Sequence, residues 1–196
     1  MNRTRKTLTA ALLGAGVFLT CAFVQEGKPL ADGMKRWKEA CTPGPAHKDL
    51  ARFIGSWDTE TEILGMGEPM KTKGTAEWTW LFEGRWIQQN VSGEVMGQPF
   101  QGQMIMGYDN FKQKYTAAAV DTMQTTLITS EGNFDQPRQA LIMYGKVDEP
   151  MTGEIGKTFK SVWRFDGPDK ITREVHDLAI GETNTKVFEV VYTRHK

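Results

Sequence analysis

Cysteine is nearly missing from this chain: Cys21 and Cys41 are the only two among 196 residues, and histidine occurs three times. That is too few for a disulfide-dense scaffold or a four-cysteine zinc site. Neither sign of charge is in excess, with 24 basic and 24 acidic residues. A protein that tracks a phosphate backbone needs a clustered basic face, and no such cluster is visible, so nucleic acid is not expected as a partner. Long apolar runs are also lacking. The longest, Leu8 to Leu19, falls short of the roughly twenty residues of a membrane-spanning helix. No Gly/Ser linker or low-complexity tract divides the chain, which suits one domain.

What is present begins with an address. Arg3, Arg5 and Lys6 precede the uncharged stretch Leu8 to Leu19, and Thr20-Cys21-Ala22 offers small residues for a cleavage after Ala22. These features predict a secretory signal peptide over residues 1–22 and an exported protein, periplasmic or extracellular. Acylation of Cys21 is the weaker alternative, because Phe18-Leu19-Thr20 makes a poor lipobox. Cleavage leaves an acidic excess of three and Cys41 as the one thiol. An exported domain without an internal disulfide rests on its core or on a bound ligand. Residues 23–45 read as a leader, either a tether or a lid over one barrel end. Met34 to Ala40 suits one helical turn, and Cys41-Thr42-Pro43-Gly44-Pro45 breaks it.

From residue 46 to 196 the pattern is that of one all-β domain. Leu50, Phe53 and Ile54 sit at helical spacing in a short turn that Gly55 ends. Trp57, Thr59, Thr61 and Ile63 then alternate with charged or polar neighbours, which predicts a strand. Strands follow over 75–82, 86–96, 100–108, 114–123, 125–134, 140–147, 158–166, 170–178 and 186–194, separated by turn signals such as Asp109-Asn110, Asp166-Gly167-Pro168-Asp169 and Gly181-Glu182-Thr183-Asn184. About ten strands at near-even spacing predict a single antiparallel up-and-down barrel.

A helical turn running through Gly55-Ser56-Trp57 into the first strand resembles the start of calycin-type barrels, the lipocalin and fatty-acid-binding-protein superfamily. The resemblance implies that a basic residue of the last strand, here Arg194, lies over Trp57 and closes one end of the barrel. A second resemblance is carried by Gly107-Tyr108-Asp109, Lys114-Tyr115 and Asp121-Thr122-Met123, with His47 and a proline-rich stretch ahead of Gly55-x-Trp57. It spans residues 43–196 and is similar to an uncharacterised bacterial family, domain of unknown function fifteen-seventy-nine. Ala119 departs from that pattern, which implies an aromatic there. Neither resemblance brings an assigned activity.

A small barrel either fills its interior or keeps a cavity. The inward candidates are Trp78, Trp80, Met104, Met106, Met143 and Trp163, with Phe159 beside them, interrupted by Gly102, Ala117, Ala119 and Gly145. Large flexible side chains mixed with gaps suit an adaptable apolar pocket, and they suit a plain core equally well. Tyr108 and Tyr115 flank a hairpin turn as a cross-strand pair. Asp121 lies among Ala and Val, where an acid is solvated, paired or turned to a cavity, or ends the strand before Met123-Gln124. Arg173 and Tyr192 are candidates for a polar anchor. Fatty-acid-binding barrels hold a carboxylate with an interior Arg and Tyr near the chain end. The Tyr192-x-Arg194 order is the reverse of theirs, so that role is not carried over.

His176 offers a base or a haem ligand. Haem-binding barrels of the nitrobindin type pair such a histidine with glycines after the tryptophan, and Asp58 to Ile63 has none. No cofactor and no metal is expected. Gly153 to Thr158 imitates the end of a phosphate-binding loop but lacks its first glycine, and no Met-x-x-Met repeat supports copper. Three functions remain open. The first is an exported, non-enzymatic carrier or sensor of a small apolar or amphipathic molecule. The second is an enzyme on the same barrel using Asp121, His176 and an Arg. The third is a solid barrel acting through its surface.

Overall fold

The structure is a computed structural model, and it describes residues 30–64, 67–178 and 185–196. The expected signal peptide, the start of the leader and the turn at 181–184 lie outside the described residues. The chain opens with helix α1 (Leu30–Cys41), a short helix α2 (Pro45–Lys48) and a 3-10 turn (Asp49–Arg52). Ten strands follow: β1 (Gly55–Ile63), β2 (Met70–Leu81), β3 (Trp86–Val95), β4 (Gln98–Asp109) and β5 (Lys114–Asp121) form the first half. The second half comprises β6 (Ile128–Phe134), β7 (Ala140–Glu149), β8 (Glu154–Phe165), β9 (Lys170–Asp177) and β10 (Lys186–Arg194). Each strand pairs antiparallel with the next, and β10 returns to pair with β1, closing the barrel. Closure leaves no unpaired edge. No helix among the described residues is long and apolar enough to cross a membrane.

The period-two pattern places its apolar residues inside. Trp57 and Thr59 on β1, Ala76 and Trp78 on β2, and Met104 and Met106 on β4 are buried, with exposed neighbours between them. Several boundaries differ from expectation: β2 begins at Met70 rather than 75, pairing with Ile63 of β1, and two others have a local cause. Residues 125–127 are not strand, because Asp121 accepts a hydrogen bond from the Met123 N–H at 2.9 Å and turns the chain out of the sheet. β8 starts at Glu154, inside the expected loop, because Gly153 adopts φ 77° and lets Glu149 pair with Glu154.

The segment from Pro45 to Ile54 plugs one end. Leu50 and Phe53 are fully buried. The Phe53 ring sits 5.0 Å from Trp78, 5.4 Å from Trp163 and 5.0 Å from Phe165. Burying side chains of this size contributes about 1.5–3 kcal/mol each. Gly55 ends the plug at φ 121°, and a Cβ there would meet Arg194 Nη1 at 2.6 Å. The positive φ favours glycine in the Gly-x-Trp motif, and a side chain there would also push the Arg194 guanidinium aside. Arg194 lies with its guanidinium carbon 4.2 Å from the Trp57 ring centroid and donates to Ile54 O at 2.9 Å and Pro168 O at 3.0 Å. α1 is longer than the expected single turn and buries no residue. The Asn110 side chain holds its end by donating to Ala40 O (3.2 Å) and Thr42 O (2.7 Å). That contact places the end of α1 beside the plug and away from the opposite mouth.

Candidate functional site

The barrel interior changes character along its length. Near the plug, Trp57, Trp78, Ile87, Met106, Leu141 and Trp163 are at most 1% exposed and fill the space. Toward the other end the inward positions carry Thr61, Gly74, Gly93, Gly102, Ala117 and Ala119. These side chains are too small to meet across the barrel. A cavity of about 320 Å³ results, with Ile63, Val91, Met104, Phe159, Phe188 and Val190 among its walls. Met104 and Ala119 are register partners on β4 and β5, so the alanine that departs from the family pattern faces this space. The volume is about twice that of an engineered 150 Å³ cavity that takes benzene.

The floor of the cavity is polar. Thr59, Gln89 and Tyr192 line it, and Ser161 lies buried beside them, each no more than 4% exposed. Gln89 Nε2 donates to the Tyr192 hydroxyl at 3.3 Å. Arg173 projects inward from β9 between Ile171 and Val175, and its guanidinium carbon lies 4.6 Å from the Trp163 ring centroid. Its Nε donates to Ser161 Oγ at 3.2 Å. It is half-buried, and it lines both the cavity and an adjoining hollow toward the mouth. Burial draws its pKa below the ordinary arginine value, and the Tyr192 hydroxyl beside it opposes that shift. No carboxylate among the described residues makes an ion pair with it. Asp177, inward on the same strand, is paired with Lys157 at 2.6 Å.

The candidates read from sequence divide into three groups. Met104, Asp121, Arg173 and Tyr192 line the cavity. Trp78, Met106, Met143, Trp163 and Tyr115 do not: they belong to the filled core under its floor, because at that depth bulky residues from every side meet. Tyr108 packs against the same core at the plugged end. Trp80 has the inward phase but is 39% exposed, since β2 runs past the sealed end of the barrel. His176 faces outward. It stands between inward Val175 and Asp177, near Glu174 (3.7 Å) and Thr185 (3.3 Å) on the outer surface. Asp121 and His176 therefore do not converge, and the acid–base pair considered for an enzyme is not assembled.

Asp121 ends β5 and also faces the cavity mouth, its carboxylate engaged by the Met123 N–H and by Gln124 Nε2 at 3.2 Å. Sequence reasoning missed Gln89, Thr59 and Ser161. Each is a polar residue on the inward phase of a strand, and that phase was the available signal. Among the described residues no group of three acidic, histidine or cysteine side chains is placed to hold a metal ion.

Apart from Asp121-Thr122-Met123 at the mouth, the signature residues gather at the plugged end. Tyr108 and Tyr115 are register partners with ring centroids 4.8 Å apart. The Tyr115 hydroxyl donates to Asp49 Oδ2 at 3.0 Å, and Arg138 pairs with the same carboxylate. Burial and Asp49 push the Tyr115 phenol well above its usual range. Asp109 accepts from the Phe111 and Lys112 N–H groups at 2.8 and 2.9 Å, which fixes the hairpin turn. His47 is buried, and its Nδ1 accepts from the Gly44 N–H at 3.0 Å. Burial first, then the Arg85 charge, lowers its pKa, so the neutral ring is the one the fold uses.

Comparison with known proteins agrees with this architecture. A family model described as a protein of unknown function (DUF1579) matches residues 42–194. Among curated proteins none matches the sequence. Of solved structures, Rv2717c from M. tuberculosis aligns with a TM-score of 0.57 at 13% identity, over 79% of this chain and 100% of that one. The S-type phycobiliprotein lyase CPES from Guillardia theta aligns with a TM-score of 0.52 at 11% identity, over 82% of this chain and 97% of that one. At such identities the likeness is one of fold.

Proposed function

The chain belongs to the DUF1579 family, and on that premise we propose that it is an exported carrier or sensor holding one small amphipathic molecule in the open half of its barrel. The observation that carries this reading is the cavity of about 320 Å³, apolar along its walls and polar at its floor. Ligand sites of small molecules have this composition, with few polar groups convergent in an apolar hollow. Export rests on the charged start, apolar stretch and small-residue exit of residues 1–22.

The test is native mass spectrometry of the protein purified from its own host, followed by extraction of what it carries. A co-purifying species of defined mass is expected, on a chain that begins at Phe23. An empty protein with no thermal shift against lipids, haem or copper would contradict the carrier reading. An intact Met1 in the mature chain would contradict export.

A further inference from the structure

Arg173 is a cation inside a barrel with no carboxylate ion-paired to it among the described residues, and its surroundings explain how it is held but not why it is there. Removing a guanidinium from water costs free energy that packing alone does not return. Ser161, Tyr192 and the Trp163 face orient it, and none of them carries a negative charge. We propose that Arg173 is the anchor for the acidic head of the ligand, and that the ligand is a medium-sized monocarboxylic acid whose apolar body runs along the cavity toward the mouth. This rests on the carrier reading above and narrows it to a chemical class.

Three features select a single carboxylate. A guanidinium has five N–H donors. Ser161 engages one and Tyr192 at most one, so a fork of donors remains for two carboxylate oxygens. The floor supplies one charge only. A phosphate monoester, with charge near −2, would need a second cation. Lys73, the other cation of the cavity lining, is paired with Glu60 at 3.3 Å on a side chain 83% exposed. Finally, the walls include Val91, Met104, Phe159, Phe188 and Val190, which solvate a hydrocarbon, and the lining's own carboxylates, Glu94 and Asp121, disfavour a second negative charge on the ligand body. At about twice the volume of a cavity that takes benzene, the space suits a medium-chain or two-ring acid.

Decanoate and 1-decanol differ in head charge and hardly in shape, so calorimetric titration of both into the purified protein separates the claims. Decanoate is expected to bind about tenfold tighter than decanol or better, as a charge-assisted pair requires. Arg173→Met should abolish that preference by weakening decanoate far more than decanol, and Arg173→Lys should restore part of it. A circular dichroism melt of each variant establishes that it folds. Should Arg173→Met not fold, Tyr192→Phe, which leaves the cation but removes its neighbouring hydroxyl, should reduce the preference severalfold. Equal binding of acid and alcohol by the wild type would overturn the anionic anchor and leave the carrier reading standing. Binding of neither would overturn both.

Discussion

The two ends of this barrel share strands, register and alternation, yet one is solid and the other hollow. At the plugged end Phe53 drops among Trp78, Trp163 and Phe165, and Tyr115 reaches Asp49 to bind the plug to the wall. At the open end the same strands present Gly74, Gly93, Gly102, Ala117 and Ala119. Ten strands enclose more width than small side chains can cross, so side-chain size alone decides whether the interior is core or cavity. Stability and function are thereby placed at opposite ends. Most residues that mark the family, from His47 and Gly55-x-Trp57 to Tyr108 and Tyr115, serve the first, and Asp121 stands at the second.

That division predicts unequal consequences for similar truncations. Phe53→Ala should lower stability in urea by about 3–5 kcal/mol, because the rigid aromatic cluster cannot collapse around the void. Phe188→Ala, in the wall of the existing cavity, should cost only about 1 kcal/mol. Equal losses would erase the distinction between the ends. Arg194→Ala comes next. It removes the cover of Trp57 and the bonds to Ile54 O and Pro168 O, for a loss of about 1–3 kcal/mol. The binding of decanoate should survive that change once temperature is lowered to keep the variant folded.

The stability of the plugged end should also respond to pH. His47 has a folded-state pKa below its ordinary value of 6.5. The unfolded chain therefore takes up the proton more readily, and the contribution of His47 is complete above about 6.5 and lost as pH falls through the folded value. A melting temperature that declines below that point, and declines less in His47→Gln, is expected. His176 is shifted the same way by burial and Lys160, so His176→Gln in the same background should account for part of any remaining slope. A slope identical in wild type and His47→Gln would remove the buried ring from the account.

Most of the architecture was legible in the sequence because alternation of period two is a physical requirement of a half-buried strand. The Asp109-Asn110 turn and the Tyr108–Tyr115 pair followed from side-chain chemistry at known positions. Depth along the barrel was not legible. Trp78 and Trp80 have the same phase, and only the three-dimensional stagger of the strands puts one in the core and the other past its end. On β9 the phase alone decides which side chain turns inward. Ile171 and Val175 mark the inward set, which admits Arg173 and excludes His176, so both could not face one cavity. The plug's ion pair between Asp49 and Arg138 joins residues 89 positions apart and had no local signal.

Ala119 offers the most direct test that the open half is a ligand cavity, since its substitution should disturb stability least of all. It faces the hollow opposite Met104, where a larger side chain has room to grow. Ala119→Trp should keep the wild-type melting temperature within a few degrees and lower decanoate affinity about tenfold or more, measured by calorimetry beside the wild type. Undiminished binding in a folded Ala119→Trp protein would contradict the account, because the ligand would then lie somewhere other than the cavity these strands enclose.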